Sequence, residues 1–268
     1  MKKLLLVVFG AFGLTSVPAQ QTSGKVSYVR IVHLQLRIGN GDGERAIPQT
    51  RTDKFELSFG NGQSLWKHAE EEMQPDDATD GAGGGIRIRM VGPGQGQDDI
   101  SYCNFNLFKK VDQRELFGKK YNVTDSIKKL NWKLTGESEN ILGHVCQKAV
   151  AQNPTKRMTM NINNGQMEHK EVEDTVTLVA WFTTDIPVPA GPEVAGQLPG
   201  LILALDMGDG RISYKAIEIS NKVKLDEIKA PTKGKKVTPE EFREDTNKML
   251  NEMQENHPAG KNSIQVGG

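Results

Sequence analysis

Hydrophobic and polar positions alternate with a period of two along most of the chain, the signature of strands that bury one face. Val32, Leu34, Leu36 and Ile38 alternate with His33, Gln35 and Arg37. Phe55, Leu57 and Phe59 alternate with Glu56 and Ser58, and Asn61-Gly62 then supplies hairpin-turn chemistry. Cys103, Phe105 and Leu107 oppose Tyr102, Asn104 and Asn106. Further strand-like runs cover 119–123, 130–134, 143–151, 158–162, 167–183, 201–207, 211–219 and 222–228, with turns at Asn164-Gly165 and Gly208-Asp209-Gly210. Many short strands joined by Gly and Asn turns predict a mainly β, antiparallel fold. The expected shape is a strongly bent sheet or half-barrel, and a closed barrel fits the same strands nearly as well.

The period shifts to that of a helix once. Thr238-Pro239-Glu240-Glu241 combines an N-cap Thr, a Pro at the first helical position and a Glu at the third. Phe242, Met249, Leu250 and Met253 then fall on one face. This predicts one helix over 238–256, stopped before His257-Pro258. Its apolar face is expected to cover the open side of the sheet, and 259–268 reads as a disordered tail. Residues 73–99 break the alternation, with seven glycines between Gly81 and Gly96, and read as a flexible surface insertion. At the start, Lys2 and Lys3 precede eleven apolar residues (4–14) and Val17-Pro18-Ala19, the pattern of a cleaved signal peptide over 1–19. The expected protein is therefore exported: periplasmic, outer-membrane-associated or secreted, with no transmembrane segment after cleavage. One β-rich domain over 20–258 accounts for the rest.

Composition narrows the partners. Lys+Arg 34 balance Asp+Glu 34, so the surplus of positive charge that a nucleic-acid binder needs is missing. A mean hydropathy of −0.52 excludes a multi-span membrane protein. Cys103 and Cys146 are the two cysteines. Export favours a disulfide between them, and two separate buried thiols remain the alternative. The chain has no G-x-S-x-G and no H-E-x-x-H, and its five histidines are scattered. The reading is a non-enzyme without cofactor. One hairpin gathers soft donors. A two-residue turn at Asn164-Gly165 pairs Met160 with His169 and Ile162 with Met167, so Met158, Met160, Met167 and His169 project together. Thioethers with an imidazole suit Cu(I), which makes periplasmic metal handling the alternative function.

Residues 185–200 carry Pro187, Pro189, Pro192 and Pro199 with three glycines. Proline cannot donate to a ladder, so the chain must leave the sheet after Thr184 and rejoin near Leu201. The string from Trp181 through Pro187, then Gly191-Pro192, then Gln197-Leu198-Pro199-Gly200-Leu201-Ile202-Leu203 resembles the GLPGLI family of exported Bacteroidetes proteins. Trp132-Lys133-Leu134-Thr135, the segment 141–149 around Cys146, and Val237 to Phe242 resemble other parts of that family in the same order. Gln197 stands where the family has Gly, which implies that this backbone position does not require positive φ. The family has no assigned activity, so the resemblance implies compartment and lineage only.

The stiff loop with its apolar side chains is expected to be a recognition element; the alternative is that Leu198, Leu201 and Leu203 plug the core and the prolines only prevent edge pairing. Trp181, Ile186, Pro187, Val188, Pro192, Leu198, Pro199, Gly200 and Leu201 are the candidate binding residues for an envelope protein or an apolar small molecule. The carrier version requires an apolar cavity of about several hundred Å³ under the helix.

Overall fold

The structure is a computed structural model that describes residues 21–38, 45–69, 99–163 and 166–256. Its strands are β1 Gly24–Ile38, β2 Arg45–Gly60, β3 Gln63–His68, β4 Ile100–Asn104, β5 Lys109–Leu116 and β6 Lys119–Ser126. They continue with β7 Lys133–Ile141, β8 His144–Asn163, β9 Gln166–Thr183, β10 Leu201–Met207, β11 Ile212–Ser220 and β12 Lys235–Val237. One helix follows, α1 Pro239–Asn256. The leader, residues 73–98 of the insertion, the Asn164-Gly165 turn and the 259–268 tail lie outside the described residues.

All twelve strands form one sheet in the order β12-β6-β5-β4-β3-β2-β1-β11-β10-β9-β8-β7. It consists of two meanders of sequential antiparallel neighbours, β1–β6 and β7–β11, joined where β1 pairs with β11. The sheet stays open, with β12 and β7 at its edges. Its curvature follows from chain length. Residues 127–132 lead from β6 to β7, ten strand positions away in the sheet. A flat sheet would place those strands about 48 Å apart at ~4.8 Å per strand. The connecting chain reaches at most about 24 Å. The sheet must therefore curl so that its two ends approach, the half-barrel that the alternating pattern suggests.

The strongest turn signal forms as expected. Asn61-Gly62 has φ of 52° and 72°, a type I′ turn between β2 and β3. Phe117-Gly118 (49° and 76°) and Leu142-Gly143 (51° and 86°) make the same turn between β5 and β6 and between β7 and β8. No turn-forming Asn announces either of them. Two expected strands fail. Residues 222–228 contain a single 3-10 turn, Leu225–Glu227. Of 130–134, only the last two residues enter β7, because the Leu130 amide and the Trp132 indole bond to Gln197 and not to a neighbouring strand.

The helix begins at its capping box: the Glu241 amide donates to Thr238 Oγ1 (3.2 Å) and the Thr238 amide to Glu241 Oε2 (2.8 Å). Its position corrects the expectation. Phe242 meets Tyr121 at 5.3 Å between ring centroids, and with Met249 packs on Tyr121, Val123 and Val237 at the β6–β12 edge. The open side of the sheet is covered by something else.

Candidate functional site

That cover is the proline-rich loop. Ile186, Val188 and Ala190 are buried with Val26, Tyr28, Phe55, Leu57 and Phe59 of the N-terminal meander. Val194 and Leu198 are buried with Leu178, Ala180, Phe182 and Tyr214 of the C-terminal one. The loop therefore bridges the two halves across the concave face. Backbone and side-chain bonds fix it there. The Leu201 amide donates to the Ile186 carbonyl, the Ile202 amide to that of Ala190, and the Tyr28 hydroxyl to that of Ile202 (2.6 Å). Gln197 Oε1 accepts from the Leu130 amide (3.1 Å) and from Trp132 Nε1 (3.0 Å), tying the loop to the segment that crosses between β6 and β7. Gln197 lies outside the positive-φ residues, as its side chain implies. Gly200 is required: a Cβ there would sit 2.0 Å from the Thr183 carbonyl oxygen, where the chain rejoins the sheet.

This overturns the expectation that the loop offers its side chains to a partner. Ile186, Val188, Pro192, Leu198, Gly200 and Leu201 are buried, Trp181 is half-buried, and only Pro187 and Pro199 among those candidates are exposed. The physical reason is the curl, which creates a concave apolar face that has to be covered. A cavity of about 20 Å³ remains beside the loop, lined by Ser64, Trp66, Ser101, Cys103, Lys110 and Glu193. It has room for about one water molecule, not for an apolar ligand.

Charged side chains line this end of the concave face. Lys110, Asp112 and Arg114 alternate along β5, so all three share a face. Lys110 Nζ lies 3.1 Å and Arg114 Nη2 3.4 Å from Asp112 Oδ2, and Arg114 also reaches Asp99 at 3.2 Å. Burial pushes the Asp112 carboxyl up, but the two cations outweigh it and hold it below the usual carboxylate value. Its Oδ1 is buried and accepts no hydrogen bond. Between β1 and β2, Arg30 pairs with Asp53 at 2.7 Å and lies over the Phe55 ring, 4.8 Å from its centroid. Burial, then the Arg30 and Arg51 bonds, act on Asp53, and the bonds prevail, leaving it below the ordinary value. Tyr214 donates to Glu193 Oε1 at 2.6 Å, fastening the loop to β11. These charges satisfy one another and act as cross-links. Sequence reading missed this Lys110-x-Asp112-x-Arg114 alternation, whose spacing places all three on one face of β5.

The chemistry of the thiols points the same way. Cys103 on β4 and Cys146 on β8 are separate, free and buried, with six strands between theirs in the sheet order, so the disulfide is absent. Burial pushes both thiols up to about 11. At neutral pH they are protonated and weak as nucleophiles. Among the described residues no group of three or more His, Cys, Asp or Glu could hold a metal ion. The register of the β8–β9 hairpin is the expected one: Met160 pairs with His169, Ile162 with Met167, Met158 with Glu171. The side chains of Met158, Met160, Met167 and His169 lie outside the described residues.

Large apolar side chains instead face solvent at turn tips. Leu107 is 64% exposed, Phe108 54%, Phe117 53% and Leu142 45%. Phe108, Phe117 and Leu142 hold φ near +50°, a left-handed backbone that costs a bulky residue about 1–2 kcal/mol. Sequence reading missed these tips because their apolar residues resemble continuing strands.

A family model described as "Protein of unknown function (Porph_ging)" matches residues 132–204. That stretch runs from the Trp132 crossing through β7, β8, β9 and the loop into β10, and contains the 197–203 string; the GLPGLI name is not part of the match. No curated protein matches the chain. Two crystal forms of PNGF-II, in space groups C2 and P21, are similar at 16% identity and a TM-score of 0.47. The similarity covers 82% and 83% of this chain and 33% of PNGF-II, so the chain spans about a third of that protein's length.

Proposed function

We propose that this is a non-catalytic exported protein of the cell envelope that binds a partner through rigid turn tips on the outside of a filled half-barrel. The observation that carries the reading is the set of bulky apolar residues held in left-handed backbone at exposed tips. Strain of this kind persists where a site needs it. A turn that only reversed the chain would carry Asn-Gly, as Asn61-Gly62 does. Two further observations support it: the concave face holds the chain's own loop, which argues against an apolar-ligand carrier, and both thiols are buried, which disfavours the thiolate. Export rests on the residue 1–19 pattern. No helix among the described residues is long and apolar enough to cross a membrane.

The test is affinity capture from the native envelope with wild type and a Phe117→Asn/Leu142→Asn double variant. The double variant should fold with an unchanged or higher Tm and lose the captured protein. Equal capture by both proteins would end this reading. A second reading, Cu(I) handling at the β8–β9 hairpin, draws on the register that sets Met160 opposite His169. Titration with Cu(I) under reducing conditions decides it. Binding that disappears in Met160→Ala and His169→Ala supports it, and unchanged or absent binding removes it.

A further inference from the structure

One tip differs from the others in what surrounds it. The β4–β5 turn presents Leu107 and Phe108 side by side, and they are among the most exposed large apolar residues of the described chain. The turn is held rigidly. The Leu107 amide donates to Asn104 Oδ1 (3.0 Å), the Phe105 amide to the Gly62 carbonyl (2.9 Å), and the Ile127 amide to the Phe108 carbonyl (2.9 Å). These bonds join it to the β2–β3 turn on one side and to the chain leaving β6 on the other. Across the β2–β3 turn, Leu225 lies over Gly60 and is itself 41% exposed. The Leu107–Phe108 tip and Leu225 thus flank the β2–β3 turn at one end of the half-barrel.

Lysines border these side chains. Lys109 follows Phe108, Lys128 and Lys129 follow Ile127, and Lys222 and Lys224 precede Leu225; all five are exposed. Lys129 Nζ lies 5.5 Å from the Phe108 ring centroid. In these described segments the acids are Asp125, Asp226 and Glu227. Asp125 pairs with Lys128 and Glu227 with Lys224. Lys109 and Lys129 have no carboxylate partner among the described ion pairs. Apolar tips that can enter an interface, beside lysines whose stems can follow while the ammonium groups stay at headgroup level, fit a lipid surface of negative charge.

We infer that the Leu107–Phe108 tip, with Leu225 and the lysines 109, 128 and 129, docks on an anionic bilayer surface. The inference names a partner class for the binding protein proposed above and rests on that reading. It uses a different tip from those tested there, so the two can fail separately.

The experiment is co-sedimentation of the purified protein with vesicles of about equal parts phosphatidylglycerol and phosphatidylcholine, and with phosphatidylcholine alone. Binding should be seen with the anionic vesicles, be weak with the neutral ones, and fall as salt is raised. Lys109→Glu and Lys129→Glu should each lower partitioning about fivefold or more. Phe108→Asn should lower it about tenfold at unchanged or higher Tm, since Asn accepts left-handed backbone. Absence of vesicle binding, or equal binding by Phe108→Asn and the lysine variants, overturns the inference. So does an envelope protein captured through Phe108 without vesicle binding. Loss of capture in Phe117→Asn/Leu142→Asn would leave the broader reading standing in each of those cases.

Discussion

Phe117 and Gln197 show how much a single position decides in this fold. Phe117 occupies a slot where Asn would be at ease, and its ring is more than half exposed, so little packing repays the backbone cost. Phe117→Asn should raise stability by about 1 kcal/mol, seen as a higher urea midpoint. A lower midpoint would show that the ring packs more than its exposure implies. Gln197 is the opposite case. One oxygen satisfies both the Leu130 amide and the Trp132 indole, and Gln197→Ala leaves both without that acceptor. A loss of about 1–2 kcal/mol in the same assay is expected. Only part of this was legible. Asn61-Gly62 declared its turn because Asn tolerates positive φ, whereas Phe117-Gly118 and Leu142-Gly143 hid theirs behind apolar side chains. Nothing local to Gln197 announces an acceptor for a tryptophan sixty-five residues away.

The proline-rich loop and α1 exchanged the roles that their sequences suggested. Four prolines and a row of apolar side chains resemble a display, and an amphipathic helix resembles a cover. Which one fills the concave face depends on how far the sheet curls and where each element enters it, and a period of two encodes neither. The loop is core, so Val188→Asp and Leu198→Asp should each unfold the protein or cost more than about 3 kcal/mol. Circular dichroism and thermal melts measure this, and a stable, well-folded Val188→Asp would return the loop to the surface. The helix is peripheral. Thr238→Ala removes one half of the capping box and should cost about 1 kcal/mol, felt in helicity more than in the sheet signal. The helix itself was legible nearly to the residue, because capping is a local interaction.

For the molecule as a whole, the buried charges set a pH limit. Asp53 and Asp112 titrate below their usual value of 3.8, so what they contribute is complete above that pH and is lost as pH falls through their lower folded values. Burial, then the nearby Arg30, holds His68 below 6.5. As pH drops under 6.5 the unfolded chain takes up that proton first, and stability declines until folded His68 titrates as well. Tm should therefore decrease from pH 7 to pH 4, and less steeply in His68→Gln; a flat profile would contradict this. The mainly β class and most strands were legible from alternation, while the order of strands was not, since β1 must find a partner almost two hundred residues away. That separation has a kinetic meaning. Each meander can zip from its own hairpins, but the junction of β1 with β11 must await both, and closing so long a loop is slow. Amides of β3–β5 and β8–β9 should gain protection early in pulse-labelled refolding, and those across β1–β11 last. Until that junction forms, the loop that later plugs the half-barrel has only one of its two walls, so the late intermediate is the species that should aggregate.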